Sequence, residues 1–268
     1  MKVFLLISIL LSALTISAQN KWYDDFGTAK SECKESGKLM VIDFWADWCK
    51  PCKVMEEKLW NNPDVEIQYQ NFIGAKVNVD IDRITPEKFA VTGIPKVVIT
   101  LPDGEVLWEK TGFYVAEDFI DVLNSIPSDV SELYQSYFSV LKLTKDSKCS
   151  FDIARQFQQL ASKTSNSELR DAFISLDENF FKKAVKDNTD QNITCDIDVY
   201  LLLNAVYQGK AEKALKKFNK SIGGIEKCTN KELAHFFLAN CYKSMEDTEN
   251  FNKELSMLSI DEFINQLN

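Results

Sequence analysis

Histidine occurs once in this chain, at position 235. A zinc site draws about four ligands, mostly from cysteine and histidine. No second ligand accompanies His235 at helical spacing, so it reads as a core or boundary side chain. Positive charge is also scarce: 31 Lys and Arg stand against 40 Asp and Glu, a net charge of −9. Nucleic-acid phosphates are gripped by basic faces, and none is visible, which argues against nucleic acid as a partner. Long apolar runs are lacking beyond the N-terminal segment. There, Val3 to Ile16 is uncharged and apolar, yet shorter than the roughly 20 residues a spanning helix needs. No stable membrane insertion of the mature chain is expected.

That first segment has its own logic. Lys2 precedes the apolar run, and Ser17, Ala18 and Gln19 follow it. Positive start, apolar middle and small-residue end predict a secretory signal, residues 1–18, cut near Ala18. Ile16 is larger than the ideal residue three before the cut, and no cysteine sits there to take a lipid. The mature protein is therefore expected to be exported, periplasmic or extracellular. Hydrophobic residues make up 45% of the chain and aromatics 12%, enough for a sizeable core and against global disorder. Seven cysteines are present: Cys33, Cys49, Cys52, Cys149, Cys195, Cys228 and Cys241. Outside the cytoplasm disulfides are permitted, and an odd count leaves at least one thiol free or bonded to another chain.

The chain changes character near Ser125–Asp129. Before it, strand-like and helical patterns alternate. Asp24 to Ser36 predicts a helix stopped by Gly37. Leu39 to Trp45, apolar except for Asp43, predicts a central strand. Cys49 to Trp60 reads as helix, Phe72 to Val79 as strand, and Asn62-Pro63 and Thr85-Pro86-Glu87 as helix starts. Lys96–Thr100 and Glu105–Glu109 flank "LPDG" as a hairpin, and Val115 to Ile126 closes with a helix. Residues 19–126 are thus expected to form an α/β domain, a central mixed sheet flanked by helices. Residues 127–268 show only helical periodicity and predict about six to eight amphipathic helices in hairpins. Leu133, Tyr137, Phe138 and Leu141 share one face, as do Leu169, Phe173, Leu176 and Phe180. Ser165 with Glu168, and Thr229 with Glu232, have capping-box spacing. "ELAHFFLANCYKSMED" loosely resembles a tetratricopeptide-type hairpin, but no fixed period recurs.

"VIDFWADWCKPCK", Val41 to Lys53, places two cysteines three apart behind a strand. Zinc lacks the further ligands. A purely structural disulfide here would close a very short loop and constrain little chain. Redox chemistry fits better. Cys49 falls where a helix begins, and unpaired amides with the helix dipole favour thiolate there. Lys50 adds positive charge. Cys52 lies one turn on, placed to displace whatever Cys49 captures.

This segment resembles the thioredoxin active site. The resemblance runs from about Lys21 to Ile126 through "GAKVNVD" (Gly74–Asp80), "VTGIPKVVI" (Val91–Ile99), "DGEV" (Asp103–Val106) and "KTGF" (Lys110–Phe113), in the family's order. "ADWCxxCK" with a later "NPDV" also looks like the soluble domain of envelope disulfide-interchange reductases. The resemblance implies a thioredoxin fold and no cofactor beyond a redox-active disulfide. Cys49 would attack and Cys52 resolve. Trp48 would shield the pair, and Pro95 would be a cis-proline facing it, with Ile94 offering backbone hydrogen bonds to substrate. Gly93 and Gly112 match positions where the backbone needs room. Asp43 aligns with the family's buried aspartate and Lys76 with its lysine partner. A buried carboxylate should have a raised pKa and trade protons with Cys52, though Asp43 and Lys76 also fit a plain buried ion pair.

Departures from the family matter. Lys50-Pro51 stands where thioredoxin has Gly-Pro. Proline keeps a reductase-like position, and lysine leaves the direction of electron flow open. Lys96 replaces a threonine after Pro95, either selecting acidic substrates or simply solvated. Cys52 to Trp60 lacks the family's kinking proline and is expected to run straighter. Among the remaining cysteines Cys33 is expected to be the odd buried thiol. At least one disulfide is expected in the helical part, most readily between two loop cysteines, Cys195 and Cys228. The sequence thus points to an exported thiol–disulfide oxidoreductase, leaning towards reductase, that exchanges disulfides with client proteins and draws electrons from a membrane disulfide reductase. The alternative is a non-catalytic scaffold whose helical domain grips a partner.

Overall fold

The computed structural model describes residues 22–68, 72–126, 133, 147–186 and 191–267. The signal segment and the face shared by Tyr137, Phe138 and Leu141 lie outside these residues. Five strands form one sheet: β1 (Trp22–Tyr23), β2 (Leu39–Trp45), β3 (Phe72–Asn78), β4 (Lys96–Thr100) and β5 (Val106–Thr111), in the order β1-β3-β2-β4-β5. β2 is central, parallel to β3 and antiparallel to β4. A strand covered on both faces needs apolar side chains at every position, which explains the unbroken run and makes Asp43 the exception.

The helices of this half follow their caps. α1 (Phe26–Ser36) starts where the Asp25 carboxylate accepts from the Thr28 amide at 2.7 Å, two residues inside the expected start, and ends at Gly37 with φ 71°. α2 (Lys50–Met55) is followed by a π-helical stretch, Glu56–Trp60. The expected straighter helix is therefore corrected: the chain here widens its turn without any proline. α3 (Pro63–Gln68), α4 (Ile84–Lys88) and α5 (Ala116–Asn124) complete the half. Side chains alternate across the sheet. Met40, Ile42 and Phe44 pack with Ala29 and Cys33 of α1 on one face. Leu39, Val41, Val97 and Ile99 pack with Trp60 and Phe119 on the other.

Among the described residues the second half is wholly helical: α6 (Ser147–Lys163), α7 (Ser167–Lys186), α8 (Gln191–Tyr207), α9 (Ala211–Ser221), a 3-10 turn at Ile225–Lys227, α10 (Lys231–Ser244), α11 (Thr248–Leu255) and α12 (Asp261–Leu267). Their lengths run from 20 residues in α7 to 7 in α12, which suits packed hairpins rather than a regular repeat. Leu169, Phe173, Leu176 and Phe180 are all buried, as their spacing requires. Both expected capping boxes shift by one residue. Asn166 caps α7 through the Leu169 amide, and Asn230 caps α10 through the Leu233 amide, each at 3.0 Å. Cys195 lies within α8, not in a loop.

The two halves share one apolar core. At the junction Trp108 Nε1 donates to Glu168 at 2.9 Å, Lys110 reaches the same carboxylate at 3.8 Å, and Thr164 donates to the Ser125 carbonyl at 3.2 Å.

A polar chain crosses the helical core. Gln158 Nε2 donates to the Tyr200 carbonyl and to Asn204 Oδ1, both at 2.7 Å, and Asn204 Nδ2 donates to Asp177 Oδ1 at 2.6 Å. Asp177 is fully buried, and its Oδ2 has no partner among the described residues. Burial pushes this carboxyl up to about 8 against the Asn204 hydrogen bond. The folded protein therefore holds a proton that the unfolded chain, with a carboxylate near 3.9, releases. Its stabilising effect is complete below about pH 4 and fades as pH rises through about 8. Thermal melts followed by circular dichroism should show the midpoint falling across that range, and Asp177→Asn should flatten the fall.

Candidate active site

β2 delivers the chain to a tight turn in which the Cys49 amide donates to the Ala46 carbonyl at 3.0 Å. Cys49 is the N-cap of α2, and the Cys52 amide donates to Cys49 Sγ at 3.2 Å. That is the charge-stabilising contact a thiolate at a helix start requires. Pro51 lies in the first turn, where a missing N–H leaves no helical bond unmade. Cys49 and Cys52 are joined as a disulfide, with Cα atoms 5.3 Å apart.

The couple sits deeper than the sequence suggests. Cys49 is 3% exposed and Cys52 6%, in a cluster with Ala46, Trp45, Val79 and Ile94. Trp48, by contrast, is 67% exposed, its ring held by Nε1 donating to Asp80 at 2.8 Å. Lys50 is exposed beside Cys49. Ile94–Pro95 is a cis peptide bond, and Ile94 packs against the sulfurs. The Pro95 carbonyl accepts from the Gly112 amide at 2.8 Å, where φ is 106°. Gly112 thus needs glycine for its backbone conformation, a Cβ on Gly93 would make only an ordinary 3.5 Å contact, and the tightest approach is at Gly74, where a Cβ would lie 2.6 Å from the Trp22 ring.

Beneath the couple, Asp43 is paired in register with Lys76. The ammonium, however, bonds Glu56, while Trp60 Nε1 donates to Asp43 Oδ2 at 2.8 Å. The plain Asp43–Lys76 ion pair is thereby corrected to a cluster of four side chains. Desolvation pushes Asp43 up to about 7; Lys76 and the Trp60 hydrogen bond pull it down, and Glu56 pushes it up. Asp43 Oδ1 and Trp45 Nε1 are buried without partners among the described residues. Asp43, Trp45, Cys52, Lys53, Glu56 and Lys76 line a cavity of about 230 Å³. Carboxyl and ammonium groups line it, and a cavity of that size has room for water, so Asp43 and Cys52 face a common space.

Lys96 does not belong to a substrate face. It is 4% exposed, donates to the Phe89 carbonyl at 2.9 Å and pairs with Glu109 at 3.0 Å. Glu109 supplies the counter-charge and the carbonyl a second acceptor inside the fold, so neither the acidic-substrate role nor the solvated one stands. Glu56 and Trp60 escaped the sequence reading. Yet they follow Cys52 by four and eight residues, a spacing that puts side chains on one helical face. Among the described residues no cluster of three or more His, Cys, Asp or Glu is placed to hold a metal ion, and no helix is long and apolar enough to cross a membrane. His235 pairs with Glu254 at 2.6 Å.

Comparison with known proteins bears on the same residues. The thioredoxin family profile matches residues 25–125. Thioredoxin from Buchnera aphidicola subsp. Baizongia pistaciae is 32% identical over 99 residues, covering 37% of this chain and 87% of that protein. Thioredoxin from Listeria monocytogenes is 34% identical over 99 residues, covering 36% and 90%. Among solved structures, a mutant thioredoxin from Halobacterium salinarum matches at 25% identity and a TM-score of 0.32, covering 40% of this chain and 92% of that one. The chain belongs to the thioredoxin family. Its N-terminal half is a thiol–disulfide oxidoreductase domain that works through a cysteine pair and no external cofactor.

Asp43→Asn tests the expectation that Asp43 takes the proton of Cys52. Release of a mixed disulfide, followed by stopped-flow, should slow by roughly 10²-fold and lose its inflection near the Asp43 value of about 7. The first attack by Cys49 should change far less.

Proposed function

We propose that this protein is an exported disulfide reductase acting on client proteins. The observation that carries the reading is the couple itself: Cys49 caps α2 with the Cys52 amide on its sulfur, and a cavity links Cys52 to Asp43. Reduced Cys49 attacks a client disulfide as thiolate, and one client sulfur leaves and takes a proton. The mixed disulfide is then opened by Cys52, whose proton passes to Asp43 and from there to the departing client sulfur. The client departs as dithiol and the protein as the Cys49–Cys52 disulfide. Pro51 supports the reductase direction through the resemblance already drawn. Trp48, exposed beside the couple, and Ile94 with cis-Pro95 form the face a client strand would meet.

Export rests on the N-terminal signal pattern, Lys2 through Ala18. A reductase outside the cytoplasm needs an electron supply, and a membrane disulfide reductase fills that role.

An insulin-reduction assay with dithiothreitol as electron source tests the chemistry. The protein should accelerate precipitation and Cys49→Ser should abolish the acceleration; equal rates would refute the catalytic claim. The shallow exposure of the couple favours one other reading, a scaffold that binds without exchange. Cys52→Ala separates the two. It should accumulate client proteins joined covalently through Cys49, whereas capture indifferent to both cysteines would establish the scaffold.

A further inference from the structure

The helical half carries a second pair of thiols that the chemistry above does not use. Cys195 lies in the first turns of α8, and Cys228 follows the 3-10 turn at Ile225–Lys227. Packing brings them together. Cys195 Sγ is 3.9 Å from the Lys227 carbonyl, the residue before Cys228. Cys228 Sγ lies 3.9 Å from the Gly224 carbonyl, and the nearby Cys195 thiol disfavours its thiolate. Their neighbours are tied as well, since the Asn230 amide donates to Asp196 Oδ1 at 3.4 Å. Both are thiols in the structure, although Cys49 and Cys52 are bonded. The disulfide expected between them is therefore not formed, but its two ends are neighbours.

We propose that Cys195 and Cys228 are a second dithiol couple, which closes into a disulfide that staples α8 to the segment leading into α10. The oxidant is a protein or low-molecular-weight disulfide, the class of reagent with which the N-terminal domain exchanges electrons. Cys195 is half-buried and Cys228 buried. Burial and the Cys195 thiol push Cys228 up to about 12, so the accessible Cys195 attacks first. Its sulfur bonds to one sulfur of the oxidant, whose S–S bond breaks; the other sulfur leaves and takes up a proton. Cys228 then gives up its proton and attacks the Cys195 sulfur, expelling the second thiolate. Two electrons and two protons leave the couple, and the oxidant becomes two thiols. The bond closes a loop of more than thirty residues that contains all of α9. A loop of that length removes substantial entropy from the unfolded chain.

The test uses the full chain with Cys49→Ser and Cys52→Ser, which leaves the five free thiols. Oxidised glutathione is the oxidant, and alkylation with peptide mapping is the readout. Two thiols should disappear, a linked peptide should join Cys195 to Cys228, and the thermal midpoint should rise by roughly 5–10 °C. Cys195→Ala and Cys228→Ala should each abolish both changes; the mapping of the chain with both thiols present does not depend on those variants folding. A stable glutathione adduct on Cys195 with Cys228 still alkylated would overturn the proposal. So would a linkage to Cys149 or Cys241, or an oxidised form that melts no higher than the reduced one.

Discussion

A carboxylate in the middle of a buried strand is the constraint around which the N-terminal half is organised. Asp43 occupies the one polar position of β2, and an unpaired charge there would be costly. The fold answers from three sides. Trp60 reaches back from the π-helical stretch to donate a hydrogen bond, Lys76 stands opposite on β3, and Glu56 holds Lys76 in turn. Balance among these groups leaves Asp43 able to gain and lose a proton near neutral pH. A fully compensated aspartate would be a permanent anion, and a fully desolvated one a permanent acid. The relay proposed from Cys52 depends on Asp43 staying between those limits.

The π-helical stretch belongs to the same arrangement. Within this widened turn Glu56 lines the space under Cys52, while Trp60 turns its ring into the core and reaches Asp43 through Nε1. Trp60 also meets Phe119 of α5 edge to face, and Phe119 packs near Trp108 of β5. Trp108 then donates to Glu168 of α7. Aromatic packing from the Asp43 cluster to Trp108, and one hydrogen bond beyond it, thus reach the helical half. The two halves are not beads on a string, because the apolar face that would otherwise meet water is where they join.

What could be read in advance follows the physics of each signal. β2 is legible residue for residue, since burial on both faces demands an apolar run and nothing else gives that pattern. The cysteine pair is legible through its place between a strand and a helix. Lys96 misleads because lysine is almost never fully buried; only the fold reveals the Phe89 carbonyl and Glu109 waiting for it. The capping boxes fail differently. Asparagine caps as well as serine or threonine, and the glutamates are drawn elsewhere, Glu168 to Trp108 and Glu232 to the Ser259 hydroxyl and the Ile260 amide. Cys195 reads as a loop residue from its Asp, Asn and Thr neighbours, whose weak helix preference tertiary packing overrides.

Trp22 fills the notch left by Gly74 and rests edge to face on Trp60 at 5.0 Å. Residue 22 is therefore the outer wedge of a stack whose inner end is the Asp43 hydrogen bond. Loss of Trp22 would leave every cysteine in place, yet it would remove the ring packed against the Trp60 that bonds Asp43. Trp22 thus serves at once as a rung of β1 against β3 and as the wedge behind Trp60.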